Sequence, residues 1–593
     1  MTAKPGYGKR GVVAMAFDLV VRGGTVIDGS GGEPVVQDVG INGDRIAAVG
    51  IGLASGREEI DASGRLVTPG FVDIHTHYDG QITWENRLAP SSGHGVTTVV
   101  MGNCGVGFAP SRAEHRQALV KLMEGVEDIP EVVMTAGVPW TWETFPDYLN
   151  VLERRESDID FAAQLPHSPL RVFVMGQRGA DLEPPTESDL GEMRRLTREA
   201  VEAGALGVTT SRNLAHRTKA GKYAPSVKTE EAEVLALADG LRDAGRGVFQ
   251  LVPNFAIDPE NQVSLITEIA RRSGRPTSFT FMQMAEQPDG WRVFLQGLED
   301  ARDEGLTIRG QIIPRPTGAL FGLDLSFHPF ALNPSYQPIA SLPLAEKVAA
   351  MRDPELRRRL LAEKPDDPNG FLRWVVSGHE SVFVLGDPPN YHPSADESIA
   401  ARARAAGTSP RELIYDALLA REGREILFRP LGNATGERFE GAGLDLLGSD
   451  LTVLGLGDGG AHYGMICDAS YPTYFLTYWV RDAGPERQVD LPRAVRMLSR
   501  ETAETVGLLD RGSVAAGYKA DLNVINYSKL RLHAPEVRYD LPAGGRRIVQ
   551  HADGYDATVV SGIATYREGV PTGRLPGRLV RGAKPEPADD ERF

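Results

Sequence analysis

Three short stretches of the sequence have residue types suited to metal-assisted chemistry. The first is Val72-Asp73-Ile74-His75-Thr76-His77. In an extended chain residues two apart point to the same side, so His75 and His77 offer two imidazoles to one centre. Gly102-Asn103-Cys104-Gly105 adds a thiol, and Gly457-Asp458-Gly459-Gly460-Ala461-His462 adds a carboxylate. Both groups are deprotonated and stabilised when a divalent cation sits among them. A bound zinc ion lowers the pKa of its water to about 7 and polarises a carbonyl oxygen, which suits amide hydrolysis. Asp458 is then placed to take the proton of the attacking water and pass it to the leaving nitrogen. The competing role for Asp458 is that of a turn aspartate in a Gly-rich loop.

Such groups converge only if separate strand ends meet. Eight apolar runs have strand character: 66–74, 96–102, 160–165, 205–210, 247–252, 277–282, 306–313 and 451–457. Amphipathic helical stretches alternate with them, and strand followed by helix marks a parallel α/β sheet. Eight such units close a (β/α)8 barrel, whose chemistry sits at the carboxyl ends of its strands. The flanks differ: both 17–67 and 512–567 read as short antiparallel strands with Gly-rich turns. The expected architecture is α/β, a TIM-like barrel with a small β-sandwich formed by both termini. Residues 1–67 and 505–570 build the sandwich and 68–504 the barrel, with an inserted subdomain at about 315–450, because a loop that long without structure is improbable. Residues 571–593 form a tail or packing arm.

Composition excludes other classes. Lys and Arg number 64 against 80 Asp and Glu, a formal charge of −16, and no dense basic run is present, which argues against nucleic acid and anionic membranes as partners. Two cysteines cannot make a disulfide framework, and no apolar run reaches the roughly 18 residues of a membrane span. The first fourteen residues lack the apolar core of a cleavable signal, so the expected location is cytoplasmic. Exterior helices and the sandwich leave surface for a homo-oligomer.

These motifs carry a family resemblance. DLVVRGGTVIDGSG, VTPGFVDIHTHYDGQ, GVTTVVMGNCGVGFAP with MEGVEDIP behind it, AGALGVTTS, GLGDGGAH and DRGSVAAGYKADLNVIN resemble the amidohydrolase superfamily, in its D-aminoacylase branch. The resemblance covers essentially the whole chain and implies a metal-filled barrel with a composite β-sandwich. It implies that His75, His77, Cys104 and Asp458 are metal ligands, with Cys104 in the bridging place and Asp458 also the acid/base. It further implies deacylation of N-acyl-D-amino acids, a small-molecule amide substrate. The sequence departs from the family where histidines are expected after the fifth and sixth strands: here stand Phe249-Gln250-Leu251-Val252 and Phe279-Thr280-Phe281-Met282-Gln283. With those imidazoles missing, one ion per chain, zinc, is expected rather than two. Hydrolysis of another amide, such as a cyclic amide or a natural-product peptide, and a non-catalytic scaffold are the alternatives.

Other polar residues are weaker candidates. His216, in the loop after the fourth strand, and His462 could serve as replacement ligands, oxyanion donors or plain loop histidines. An α-carboxylate needs a cationic anchor, for which Arg178, Arg212, Arg217 and Arg315 follow strand ends. Residues 471–479, rich in aromatics, read as a helix packed on the barrel, and Cys467 as a small core residue. Asp79, Glu127 and Asp128 are placed outside the direct ligand set, Asp79 as a partner of a ligand histidine.

Overall fold

The computed structural model describes residues 16–434 and 440–588. The first fourteen residues and the end of the tail fall outside them. Eight parallel strands form the barrel: β1 (Phe71–Asp73), β2 (Val96–Met101), β3 (Asp160–Ala163), β4 (Gly207–Ser211), β5 (Val248–Val252), β6 (Thr277–Thr280), β7 (Ile308–Ile312) and β8 (Thr452–Leu454). Two ladders carry them, β1 to β3 and β4 to β8, and Leu165–Pro166 extends β3 to pair with β4. The ring closes beyond the strand ends, where Asp458 N donates to His75 O (3.0 Å) and His77 N to Gly459 O (2.7 Å). Every residue of β2, VTTVVM, is buried, as expected of a strand covered on both faces.

The expected strand at 66–74 is two strands. Leu66–Pro69 belongs to the β domain and Phe71–Asp73 to the barrel. The break is Gly70, whose amide donates to Asp521 O (2.8 Å) and where a Cβ would lie 2.1 Å from the Thr97 side chain. Only a residue without a side chain lets the backbone pass that close.

The β domain is one continuous nine-stranded sheet drawn from both flanks. Leu66–Pro69 pairs antiparallel with Leu522–Ile525 at its middle. Ile41 and Ile46 from one end of the sheet share a core with Val559 and Ala564 from near the other, so the sheet folds over on itself. Residues 317–432 carry a separate three-stranded sheet and a core of their own around Phe330, Met351, Leu360 and Tyr415. The C-terminal segment packs rather than trails: Gly577 bridges to Ser157, Leu579 to Phe161 and Lys584 to Leu508.

The helices have ordinary local causes. Thr186 and Asp189 form a capping box that starts Glu187–Glu202, and Asp258 caps Pro259–Ser273, which ends at Gly274. None of the described helices is long and apolar enough to cross a membrane.

Candidate metal centre

His75 and His77 leave the end of β1 with their side chains fully enclosed, 2% and 0% exposed. His75 Nδ1 lies 2.9 Å from Gln311 Oε1, and Gln311 Nε2 donates to Ser278 Oγ at 2.9 Å. Because the amide nitrogen of Gln311 is engaged as a donor, its oxygen accepts from His75 Nδ1. The lone pair of His75 Nε2 then faces the centre. Cys104 arrives from the loop after β2, with Sγ 3.4 Å from His75 Nε2. Gly102 makes that turn with φ +88°, where a Cβ would strike Gln164 O at 2.3 Å. Asn103 Nδ2 donates to Val100 O (2.9 Å) and Thr76 O (3.2 Å), and Asp79 Oδ2 accepts Gly102 N (3.0 Å). Asp79 thus steadies the thiol-bearing loop rather than a ligand histidine.

Asp458 sits beyond β8 with Oδ1 3.5 Å from both His75 Nε2 and His77 Nε2. The ligand atoms of His75, His77 and Cys104 lie within 4.8 Å of one another. The structure therefore brings together the four residues expected to share one ion. Burial pushes the His75 imidazole down to about 4 and the Cys104 thiol up to about 12. Burial alone would raise the Asp458 carboxyl, but the neighbouring imidazoles of His77, His75 and His462 outweigh that and hold it well below its ordinary value. For His77 burial opposes charge, yet Glu127, Cys104 and Asp458 together raise its pKa well above the usual imidazole value. Its surroundings favour positive charge. Both ring nitrogens of His77 and Asp458 Oδ1 are buried without a hydrogen-bond partner. Donors that converge with open valence fit a divalent cation.

Two further groups join the cluster. Glu127, at the end of helix Arg116–Val126, is 1% exposed, and its Oε2 is 3.5 Å from His77 Nε2 and 3.5 Å from His462 Nε2. Burial pushes this carboxyl up to about 7. Sequence reasoning set Glu127 apart from the centre; the only signal for it was its place in MEGVEDIP, in the segment that follows β2. The neighbouring Asp128 accepts Ser326 Oγ (2.7 Å) and Gly464 N (3.0 Å), tying that turn to the inserted subdomain and to the loop after β8. His462 Nε2 is also 3.9 Å from Asp458 Oδ2. His216 faces the same cluster: burial, with the charges of His462 and His77, pushes it down to about 3, and its Nδ1 has no hydrogen-bond partner.

The arginines are already engaged. Arg212 Nη1 donates to Thr229 O (2.9 Å), and Arg217 donates to Leu214 O and Tyr223 Oη (2.8 Å each) while stacking on the Tyr223 ring. Arg178 pairs with Glu183 and Asp189 at the surface, and the structure does not bring it to the centre. Arg315 is buried in an ion pair with Asp468, 4.0 Å from the Tyr391 ring centre. Tyr471 and Tyr474 pack in the main core, as does Cys467. Where imidazoles were missed, Gln250 has both amide atoms buried and unpartnered, and so is Thr280 Oγ1.

The amidohydrolase family profile matches residues 58–566. The chain belongs to the amidohydrolase family. It is thus a hydrolase of carbon–nitrogen bonds other than peptide bonds, using a divalent cation. An uncharacterized protein of Mycobacterium tuberculosis (strain ATCC 25618 / H37Rv) is 27% identical over 94% of this chain and 92% of its own length. D-aminoacylase of Alcaligenes xylosoxydans xylosoxydans is 32% identical over 44% of this chain and 52% of its own. A solved D-aminoacylase, described as holding a binuclear metal centre, superposes with a TM-score of 0.63 at 23% identity, covering 95% of this chain and all of that one. The sequence likeness to D-aminoacylase places this amidohydrolase in the D-aminoacylase branch, and the solved structure shows the barrel and β domain of that fold.

Proposed function

We propose that this amidohydrolase deacylates N-acyl-D-amino acids, with a zinc ion held by His75, His77, Cys104 and Asp458. The observation that carries the reading is the convergence of these four side chains, with unpartnered buried donors, at the carboxyl ends of β1, β2 and β8. The likeness to D-aminoacylase supports the substrate class. A divalent cation bound there supplies a water of lowered pKa and a Lewis acid for the scissile carbonyl. Asp458 accepts the proton of the attacking water and returns it to the leaving nitrogen. The Gln311 and Ser278 side chains hold His75 in the tautomer that ligation requires. Asp458 and His462, at 21% and 15% exposed, mark the side from which substrate enters, since His75 and His77 are sealed.

One observation favours a second substrate. Each arginine considered as a carboxylate anchor already has partners, and Gln250 presents a neutral amide with no partner. That suits an uncharged amide, for instance a cyclic one. Acid release from a panel of N-acetyl-D-amino acids, their L-forms and cyclic amides separates the two. Turnover of D-forms is expected, falling by roughly 1,000-fold or more (about 4 kcal/mol) in His75→Ala. Ring opening of cyclic amides alone would replace the first reading with the second.

A further inference from the structure

We propose that Glu127 and His462, with Asp458 as a bridge, form a second cation position beside the ion of His75, His77 and Cys104. The inference rests on the reading of that first ion and adds to it a ligand pair this chain supplies where β8, β1 and the segment after β2 meet.

Four observations carry it. Both carboxylate oxygens of Glu127 are buried without a hydrogen bond. A bare carboxylate in that setting costs several kcal/mol, so such groups are paired or bind metal. Its neighbours are imidazole nitrogens of His77 and His462, each 3.5 Å away. That is beyond the roughly 2.7–3.2 Å of an N–H···O hydrogen bond. For Glu127 and His462 it matches the edge of about 3.4 Å of a tetrahedron with bonds of about 2.1 Å to a shared ion, while the one lone pair of His77 Nε2 belongs to the first ion.

The Asp458 carboxylate also divides its oxygens. Oδ1 faces His75 and His77 at 3.5 Å each, while Oδ2 faces His462 at 3.9 Å. One carboxylate with each oxygen turned to a different set of imidazoles is arranged to bridge. His75, His77, Cys104, Glu127, Asp458 and His462 together exceed the four ligands of one tetrahedral ion.

The backbone is bent to make this arrangement. Asp458 and His462 hold φ of 49° and 52°, and Cys104 holds 56°. Non-glycine residues in this region cost about 1–3 kcal/mol each and persist only where the surroundings demand it. His462 N donates to Glu127 O at 2.5 Å, tying the two residues together through their backbones. On this reading, Glu127 and His462 replace the two imidazoles absent at the ends of β5 and β6, on a different side of the mouth.

The test is metal counting. Full-length protein is stripped with chelator and titrated with Co²⁺, reading equivalents bound by plasma mass spectrometry and the thiolate-to-cobalt absorption of Cys104. Two equivalents are expected in the wild type. One is expected in Glu127→Gln and in His462→Gln, with the second binding step weakened by more than about 100-fold and the thiolate band kept. A fall within the 10–100-fold range typical of an outer hydrogen-bond partner would reduce both residues to positioning groups and overturn the proposal. One equivalent in all three proteins, or two in all three, would also overturn it. The retained thiolate band shows that a variant is folded around its first ion. Absence of that band from the wild type would fail the reading of the first ion separately, while the count still judges Glu127 and His462.

Discussion

Two buried clusters near the barrel mouth use the same residue types to opposite ends. In one, His167 Nδ1 lies 2.7 Å from Thr210 Oγ1 and Nε2 lies 2.8 Å from Glu233 Oε1, and Arg171 pairs with the second oxygen of Glu233. Arg171 spends its other nitrogens on the carbonyls of Gly179 and Glu183. Every charge there has a partner. In the other, His77 has no hydrogen bond from either ring nitrogen and Glu127 none from either oxygen. The first cluster is closed and serves the fold. The second is left open, and its cost is accepted because a ligand completes it. Satisfaction of hydrogen bonds, rather than composition, separates structure from chemistry here.

Glu233→Gln should break the closed cluster most visibly. It strands the Arg171 guanidinium in a buried site and should destabilise the protein by about 3–5 kcal/mol in urea unfolding. Burial opposes ionisation of Glu233, but hydrogen bonds and charge from His167 and Arg171 outweigh it and hold its pKa below the ordinary value. A depressed carboxyl stabilises above its unfolded pKa of about 4.3. The gap between wild type and variant should therefore be full near neutrality and close as pH falls through the folded value. A gap independent of pH would show that packing, not charge, carries the effect.

Zinc sharpens the contrast. At 100 times its dissociation constant it should stabilise the wild type by about 2.7 kcal/mol. Glu233→Gln should gain the same increment, since its lesion lies outside the centre, whereas His75→Ala should gain far less. An equal gain in His75→Ala would locate the ion elsewhere.

The smallest effect has the opposite sign. In metal-free protein, Glu127→Gln removes a buried carboxyl that burial pushes up to about 7. It should leave stability unchanged or raise it by about 1 kcal/mol, because its carboxylate makes no hydrogen bond and its attraction to His77 across 3.5 Å is offset by the cost of burying it. Destabilisation comparable to Glu233→Gln would mean that Glu127 is structural, and the difference between the two clusters would vanish.

The barrel was legible because eight apolar runs bounded by helices leave few other ways to bury a parallel sheet. The exception at 66–74 turned on Gly70, where the need was a close approach to Thr97 rather than a turn. At the site, His75 and His77 announce themselves by spacing, and Cys104 and Asp458 by their place at strand ends. Glu127 has no such signature. It follows a helix, in a position typical of a solvated turn, and its nearest partners come from distant parts of the chain.

By itself the sequence determined the alternation of strand and helix and the pair of imidazoles on one strand end. These follow from local periodicity and from which side chains can reach one side of a strand. Only the tertiary structure decided that Arg315 is consumed by Asp468, that Glu233 is neutralised, and that Glu127 and His462 face an open site. Burial and pairing depend on contacts between remote segments, and no local pattern records them.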